Sequence, residues 1–354
     1  MIDFANKLER RRQARRNLLN SSFFVRGNIS HEYTSGMRKT VLLVLIAFVC
    51  VPAFAQRPSD PALMVPQTAP ELDYKAVADF FAFPAGISLN GAPASVAFDS
   101  KGHLFVLTRG QPSLYEFDES GKYIRSFGEG LFTRSHGLRI EKDGTIWATD
   151  VGGHTAMKLS PKGHVLLTLG TKGQRGDWND STHLLNEPND VIIGRNGDIF
   201  IAQGHTPGAM GDPRVLKFDK TGKFIKSWGG KGKEPGKFDV AHGIAIDAKG
   251  LLWVTDRENQ RIQIFDQDGK YIKEVKYAGL PCSLDIGSQN IYMVNGFAGQ
   301  LLKLDLEGKV LAATGKTGKG LGEFGEAHMI AVGPRGEIFV ADSVNAEVQK
   351  FVRK

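Results

Sequence analysis

The sequence predicts an all-β fold, a six-bladed β-propeller whose ring is closed by a strand from the N-terminal side. Six segments align almost without gaps, starting at Ala94, His136, Asn189, His242, Cys282 and His328, at spacings of about 40 to 53 residues. Each reads as a short apolar strand, a Gly-containing turn, a second strand ending in a polar residue, a third strand such as RVLKFD or RIQIFD, then a fourth such as GKFIKSWG. Four strands per repeat is the mark of propeller blades. The last repeat stops at Phe351 and Val352 without a fourth strand. The run VADFFAF, from Val77 to Phe83, can supply it, and pairing the chain ends leaves no open edge.

In chain order, residues 1–36 read as an over-extended start or a leader, because Met37, Arg38 and Lys39 begin what looks like a secretory signal over 37–55. Val41 to Val51 form its apolar core and Ala53-Phe54-Ala55 a small-x-small cleavage pattern. The apolar run is too short for a membrane span, so the mature chain is expected to be secreted or periplasmic with no stable membrane span. Residues 56–73, rich in Pro and polar residues, read as a linker, and 74–354 as the propeller. The formal charge of +7 is misleading, since residues 1–55 hold nine of the 45 Lys and Arg but three of the 38 acids. The remainder is close to neutral, which argues against a nucleic-acid partner. Cys282 is the single cysteine beyond the signal, so no intramolecular disulfide is expected.

His136, His242 and His328 occupy one position of the second, fourth and sixth repeats, where the odd repeats carry Ala94, Asn189 and Cys282. In a closed ring the three imidazoles converge on the axis at roughly 120°, the layout of an open Zn²⁺ site. Fe or Mn also suits such a site. Arg109 and Arg257 each lie fifteen residues beyond the start of a repeat, in the first and fourth, at the end of a second strand that returns to the same face. Two guanidiniums beside a metal suggest an anionic or carbonyl-rich substrate. An ion pair with Asp256 or Glu258 is the alternative for Arg257. Asp150, Asp256 and Asp342 read as turn-stabilising residues.

The run HGIAIDAKGLLWVTDRENQRIQIFDQDGKYIKEV from His242 resembles the NHL repeat, and the likeness extends over roughly residues 77–354. In such repeats a His before Gly-Ile or Gly-Leu is also a common filler. The combination of His136-Gly137-Leu138, WATDVGGHTAMKL, EPNDV, VTDREN with RIQIF, and His328 resembles the peptidyl-α-hydroxyglycine α-amidating lyases. That resemblance implies zinc held by His136, His242 and His328, a catalytic Arg at Arg109 and a second at Arg257. It implies cleavage of the N–Cα bond of a carbinolamide into an amide and glyoxylate, on a small peptide or similar substrate. His205 stands where the family places a Tyr base, and is either the base or a loop residue. The family's structural calcium, with backbone ligands matching Val96 and Leu138, lacks its acid here because Met329 replaces it. Asp190 is either a substitute ligand or a buried hydrogen-bonding group. Glu326 replaces a Met two residues before the third His and brings a carboxylate near the pocket. The loop from Thr171 to Asn186, with Trp178 and His183, either shapes specificity or is a surface insertion. The chain is expected to be a monomer, with no monooxygenase domain fused to it. The competing readings are a secreted NHL binding scaffold and a different metal-dependent lyase or hydrolase.

Overall fold

Strands alternate in this chain because short β-branched and aromatic runs are cut by glycines that take positive φ at the hairpin tips, such as Gly144 and Gly250. The computed structural model describes residues 58–177, 184–207 and 211–354. The leader and signal segments, and Trp178 and His183, lie outside them. Among the described residues the strands form six four-stranded antiparallel sheets and one two-residue pairing. The innermost strands are Pro93–Phe98, Ser135–Ile140, Pro188–Ile193, Ala241–Ile246, Pro281–Ile286 and Ala327–Val332. Each packs on the next, and the sixth on the first, so the ring is closed.

The closing strand is Tyr74–Val77, which pairs antiparallel with Glu347–Arg353 to complete the sixth blade. This shifts the expected segment toward the N-terminus. Phe80, Phe81 and Phe83 instead pack as an aromatic group against Phe117 and Phe339, between blades one and six, where burial of their rings outweighs strand pairing. The stretch read as a linker also lies on the ring. Leu63 and Met64 pack against the core of blades five and six, and Gln67 exchanges backbone and side-chain hydrogen bonds with Gln300.

Blade-to-blade packing is apolar and dense, with Trp147, Trp253, Phe200, Phe265 and Phe339 nearly or fully buried. Every inner strand has a register irregularity near its start, spanning His136, His242 and His328 in the even blades and Ala94, Asn189 and Cys282 in the odd ones. A bulge frees one residue's backbone from the ladder and re-aims its side chain. That freedom is what the site uses.

Candidate metal centre and substrate mouth

The three even-blade histidines meet, with ring centroids 4.6 to 5.1 Å apart. They are essentially buried, and each is oriented by the following odd blade. Nδ1–H of His136 donates to the Asn189 carbonyl at 2.7 Å, that of His242 to Cys282 at 2.9 Å, and that of His328 to Ala94 at 2.7 Å. Because a carbonyl can only accept, Nδ1 must carry the proton and Nε2 the lone pair. The repeat alternation thus has a division of labour: even blades supply imidazoles, and odd blades supply the bulge carbonyls that fix their tautomer. Thr149 and Thr255 support it, each hydroxyl donating to the same carbonyl and accepting from Gly137 or Gly243.

Nε2 of His136 and His242 are buried without any hydrogen-bond partner. An unsatisfied buried lone pair is costly, and paired ones aimed at each other fit a cation. The imidazoles are all pushed well below their usual 6.5, first by burial, then for His136 by His328 and His242, for His242 by Arg257 and His328, and for His328 by Arg109. They are therefore neutral at pH 7, the state a metal requires. Inward Nε2 donors with carbonyl-held Nδ1 protons fit a bound divalent ion.

His205 joins this group, its ring 4.8 Å from His136 and 5.7 Å from His242. One ligand atom from each of the four histidines lies within 4.8 Å of the others. The structure thus places His205 at the centre, next to Gly204 at the end of a blade-three strand. It remains partly exposed, unlike the other three, and it too is held well below 6.5, by burial and then Arg257, Arg134 and Arg109.

The arginines expected at the mouth are both there. The backbone N–H of Arg109 donates to Ala92, and that of Arg257 to Val240, each two residues before the histidine register, so both side chains start at the rim. Arg257 is buried and engaged: its guanidinium donates to Glu258 at 2.6 and 2.9 Å and stands 4.0 Å from Glu326. Burial is the largest single effect and opposes its charge, but the groups around it, Glu258 first and Glu326 among them, together outweigh that and raise its pKa. Arg109 has no such partner, its Nε being buried and unsatisfied, and burial followed by repulsion from Arg134 lowers it to about 10. It stays charged and available. Glu326 is buried, accepting from the Ser343 hydroxyl.

Arg134 was not anticipated. It sits two residues before His136, as Glu187 sits before Asn189 and Glu326 before His328. A charged side chain at a repeat position filled elsewhere by Ala92, Val240 and Leu280 was the legible signal.

Near the carbonyls expected to hold calcium lies a guanidinium, that of Arg139. The Leu138 carbonyl accepts from Nη1 of Arg139 at 3.0 Å and the Ile244 carbonyl from Nη2 at 3.2 Å, while the same guanidinium pairs with the buried carboxylate of Asp190. Asp190 also accepts from the Val191 and Ile244 amides, so its role is the hydrogen-bonding one. Met329, fully buried, packs with Val96, Val106 and Phe339. The Arg139 guanidinium thus already lies on the Leu138 carbonyl, one of the two carbonyls expected to bind calcium.

Asp150, Asp256 and Asp342 do hold turns, Asp150 accepting from the Thr133 and Arg134 amides and Asp342 from four amides around Gly325 and Asn345. Cys282 is a free, buried thiol pushed up to about 12 by burial, and only its carbonyl serves the site. Of the Thr171–Asn186 loop, Arg175 donates to Asn186, whose side chain in turn donates to Gly176, closing the loop's base.

The NHL repeat model matches residues 238–265, the fourth blade's first strands. The mouse peptidyl-glycine α-amidating monooxygenase is 30% identical over 257 residues, covering 63% of this chain and 25% of that one. A probable peptidyl-α-hydroxyglycine α-amidating lyase of Caenorhabditis elegans is 31% identical over 239 residues, 62% of this chain and 64% of its own. The chain thus spans a quarter of the mouse protein and less than two thirds of the nematode one. Among solved structures, a streptogramin B lyase superposes with a TM-score of 0.55 at 17% identity, over 79% of this chain and 97% of that one, a likeness of fold alone. The chain is a six-bladed NHL-repeat β-propeller that resembles the peptidyl-α-hydroxyglycine α-amidating lyases.

Proposed function

We propose that this protein is an exported, zinc-dependent carbon–nitrogen lyase that splits an N-acyl-α-hydroxyglycine into an amide and glyoxylate. The observation that carries this is the pair of orphaned Nε2 atoms of His136 and His242 beside His328, with unpaired Arg109 on the same rim. The named relatives favour the lyase class, and the apolar run with its small-x-small site at 37–55 favours export.

His136, His242 and His328 would hold the ion, which supplies Lewis acidity that eases loss of a proton from the substrate hydroxyl. Arg109 binds the carboxylate next to the reacting carbon and fixes which face meets the histidines. Neutral His205 takes the hydroxyl proton on a ring nitrogen. As the C=O forms, the C–N pair leaves to nitrogen, and the proton held by His205 completes the amide. Burial is the main cause that depresses His205, and the carboxylate bound at Arg109 offsets that guanidinium's share of the remaining effect. Arg257, tethered to Glu258, still exerts the largest guanidinium effect on His205 and serves as a fixed charge rather than a free anion anchor.

The test is metal analysis followed by a glyoxylate assay on an N-acyl-α-hydroxyglycine. We expect about one zinc per chain, lost with activity in His242→Ala. In Arg109→Ala the metal stays while kcat/KM falls by about 100-fold or more. A metal-loaded protein that releases no glyoxylate overturns the reaction. A protein that never holds metal would instead be a binding scaffold.

A further inference from the structure

Carbonyls hold the rings of His136, His242 and His328, whereas among the described residues no hydrogen bond fixes the ring of His205. Its aim therefore rests on the chain that carries it. That chain is gripped on both sides by two consecutive residues, Asn186 and Glu187. Before His205, the Gly204 amide donates to the Asn186 and Glu187 carbonyls at 3.1 and 3.0 Å. After it, the Thr206 amide donates to Oε2 of Glu187 at 2.7 Å. The first grip is common to the ring: in all six blades the carbonyl two residues before the histidine register accepts from the amide just past the second strand, as Ala92 does from Arg109 and Val240 from Arg257. The second belongs to blade three. Ala92, Arg134, Val240 and Leu280 have no side-chain acceptor to offer there, and Glu326 takes a hydroxyl, that of Ser343.

Glu187 is itself held in an unfavourable backbone state. Its φ is 52°, in the left-handed region that a residue with a Cβ adopts only when its surroundings enforce it. Its own amide donates to Nδ1 of His154 at 3.1 Å, and its Oε1 faces the Arg175 guanidinium at 3.7 Å. Arg175 also donates to the Asn186 side chain at 3.0 Å, and the Asn186 amide donates to Gln203 at 3.0 Å. A strained residue fixed by four neighbours, with one carboxylate oxygen on the peptide beside His205, is built to hold that peptide in one place.

We propose that Glu187 is the positioning residue for His205: its carboxylate ties down the Thr206 peptide, which keeps the imidazole beside His136 and His242 and aimed at the substrate hydroxyl. The consequence for catalysis rests on the lyase reading. The hold on the His205 ring does not.

Nuclear magnetic resonance of the imidazole rings in the metal-loaded protein tests the hold without turnover, with the His205 signals identified by their loss in His205→Gln. In Glu187→Ala those signals should shift or broaden while those of His136, His242 and His328 stay. Glu187→Gln should restore the parent pattern, because its amide oxygen still accepts the Thr206 N–H, and Glu187→Asp, charged but one methylene short, should not. If Glu187→Ala does not fold, the Asp and Gln variants carry the same comparison. Unmoved His205 signals, equal movement of all four rings, or a pattern restored by Asp and not by Gln would each overturn the assignment. Kinetics on an N-acyl-α-hydroxyglycine supply the second readout. Glu187→Ala should lower kcat about tenfold or more with KM within about threefold, and should cause no further loss in the His205→Gln background. A full further loss there would mean that Glu187 acts on something other than His205. Absence of glyoxylate from the parent protein overturns the lyase reading instead, and the ring signals then decide the role of Glu187 by themselves.

Discussion

An imidazole holds a metal well only when one nitrogen is tethered and the other is bare, and His136, His242 and His328 each meet both conditions through a carbonyl of the neighbouring blade. His205 has no such tether to a carbonyl among its described contacts, and it is more exposed, which suits a group that must gain and lose a proton. His205→Gln should therefore keep the zinc and lose about 100-fold or more in kcat. If zinc content falls with it, His205 is a fourth ligand and the base assignment fails. Thr255→Val should also tell: it strips the Gly243 amide of its acceptor and loosens the Cys282 carbonyl, at a cost of about 1–3 kcal/mol in stability, measured by denaturant unfolding.

At the scale of the strand, the bulge is the working part. A regular ladder would tie up the carbonyls of Ala94, Asn189 and Cys282, and the displaced register leaves them to face the histidines instead. One step further along the inner strands, Arg139 links Leu138, Asp190 and Ile244 across blades two, three and four. Removing it leaves a buried carboxylate unpaired. Arg139→Met should lose about 3–5 kcal/mol, and added calcium should recover part of that loss in the variant while leaving the parent's melting temperature unchanged. A parent stabilised by calcium would contradict the guanidinium's role.

For the whole molecule, closure is the determinant, because each of His136, His242 and His328 donates to a carbonyl across a blade boundary, and one of those boundaries joins the two ends of the ring. Tyr74 anchors the closing strand, buried with its hydroxyl donating to Gly336 and paired with that of Tyr292 at 3.1 Å. Tyr74→Ala should cost about 3–5 kcal/mol in thermal or chemical unfolding, and zinc affinity should fall with it because the His328–Ala94 bond spans the same closure. Acid should act on the whole ring as well. The imidazoles are held below 6.5 in the fold while those of the unfolded chain titrate near 6.5, so as pH falls the unfolded state binds more protons. The metal-free protein should lose stability steadily below about pH 6.5, and a flat profile from pH 7 to 5 would refute buried neutral histidines.

Much of this was legible before any coordinates. Repeat spacing gives six blades, the alternation of His with Ala94, Asn189 and Cys282 gives the triad, and the fifteen-residue offset puts Arg109 and Arg257 at the rim. These are periodic features, and a closed ring of like units converts sequence period directly into position around an axis. Three things needed the tertiary structure. That Arg257 is spent on Glu258 while Arg109 is free depends on side-chain directions that the shared register does not specify. The union of His205 with the triad depends on a loop whose path follows no repeat. The seat of Arg139 on the Leu138 and Ile244 carbonyls depends on non-adjacent segments meeting one guanidinium. The sequence determined the ring and the inward residues because each blade repeats the same local rule. Packing alone decided which charges are neutralised, because counter-ions are chosen by distance in space and not by place in the repeat.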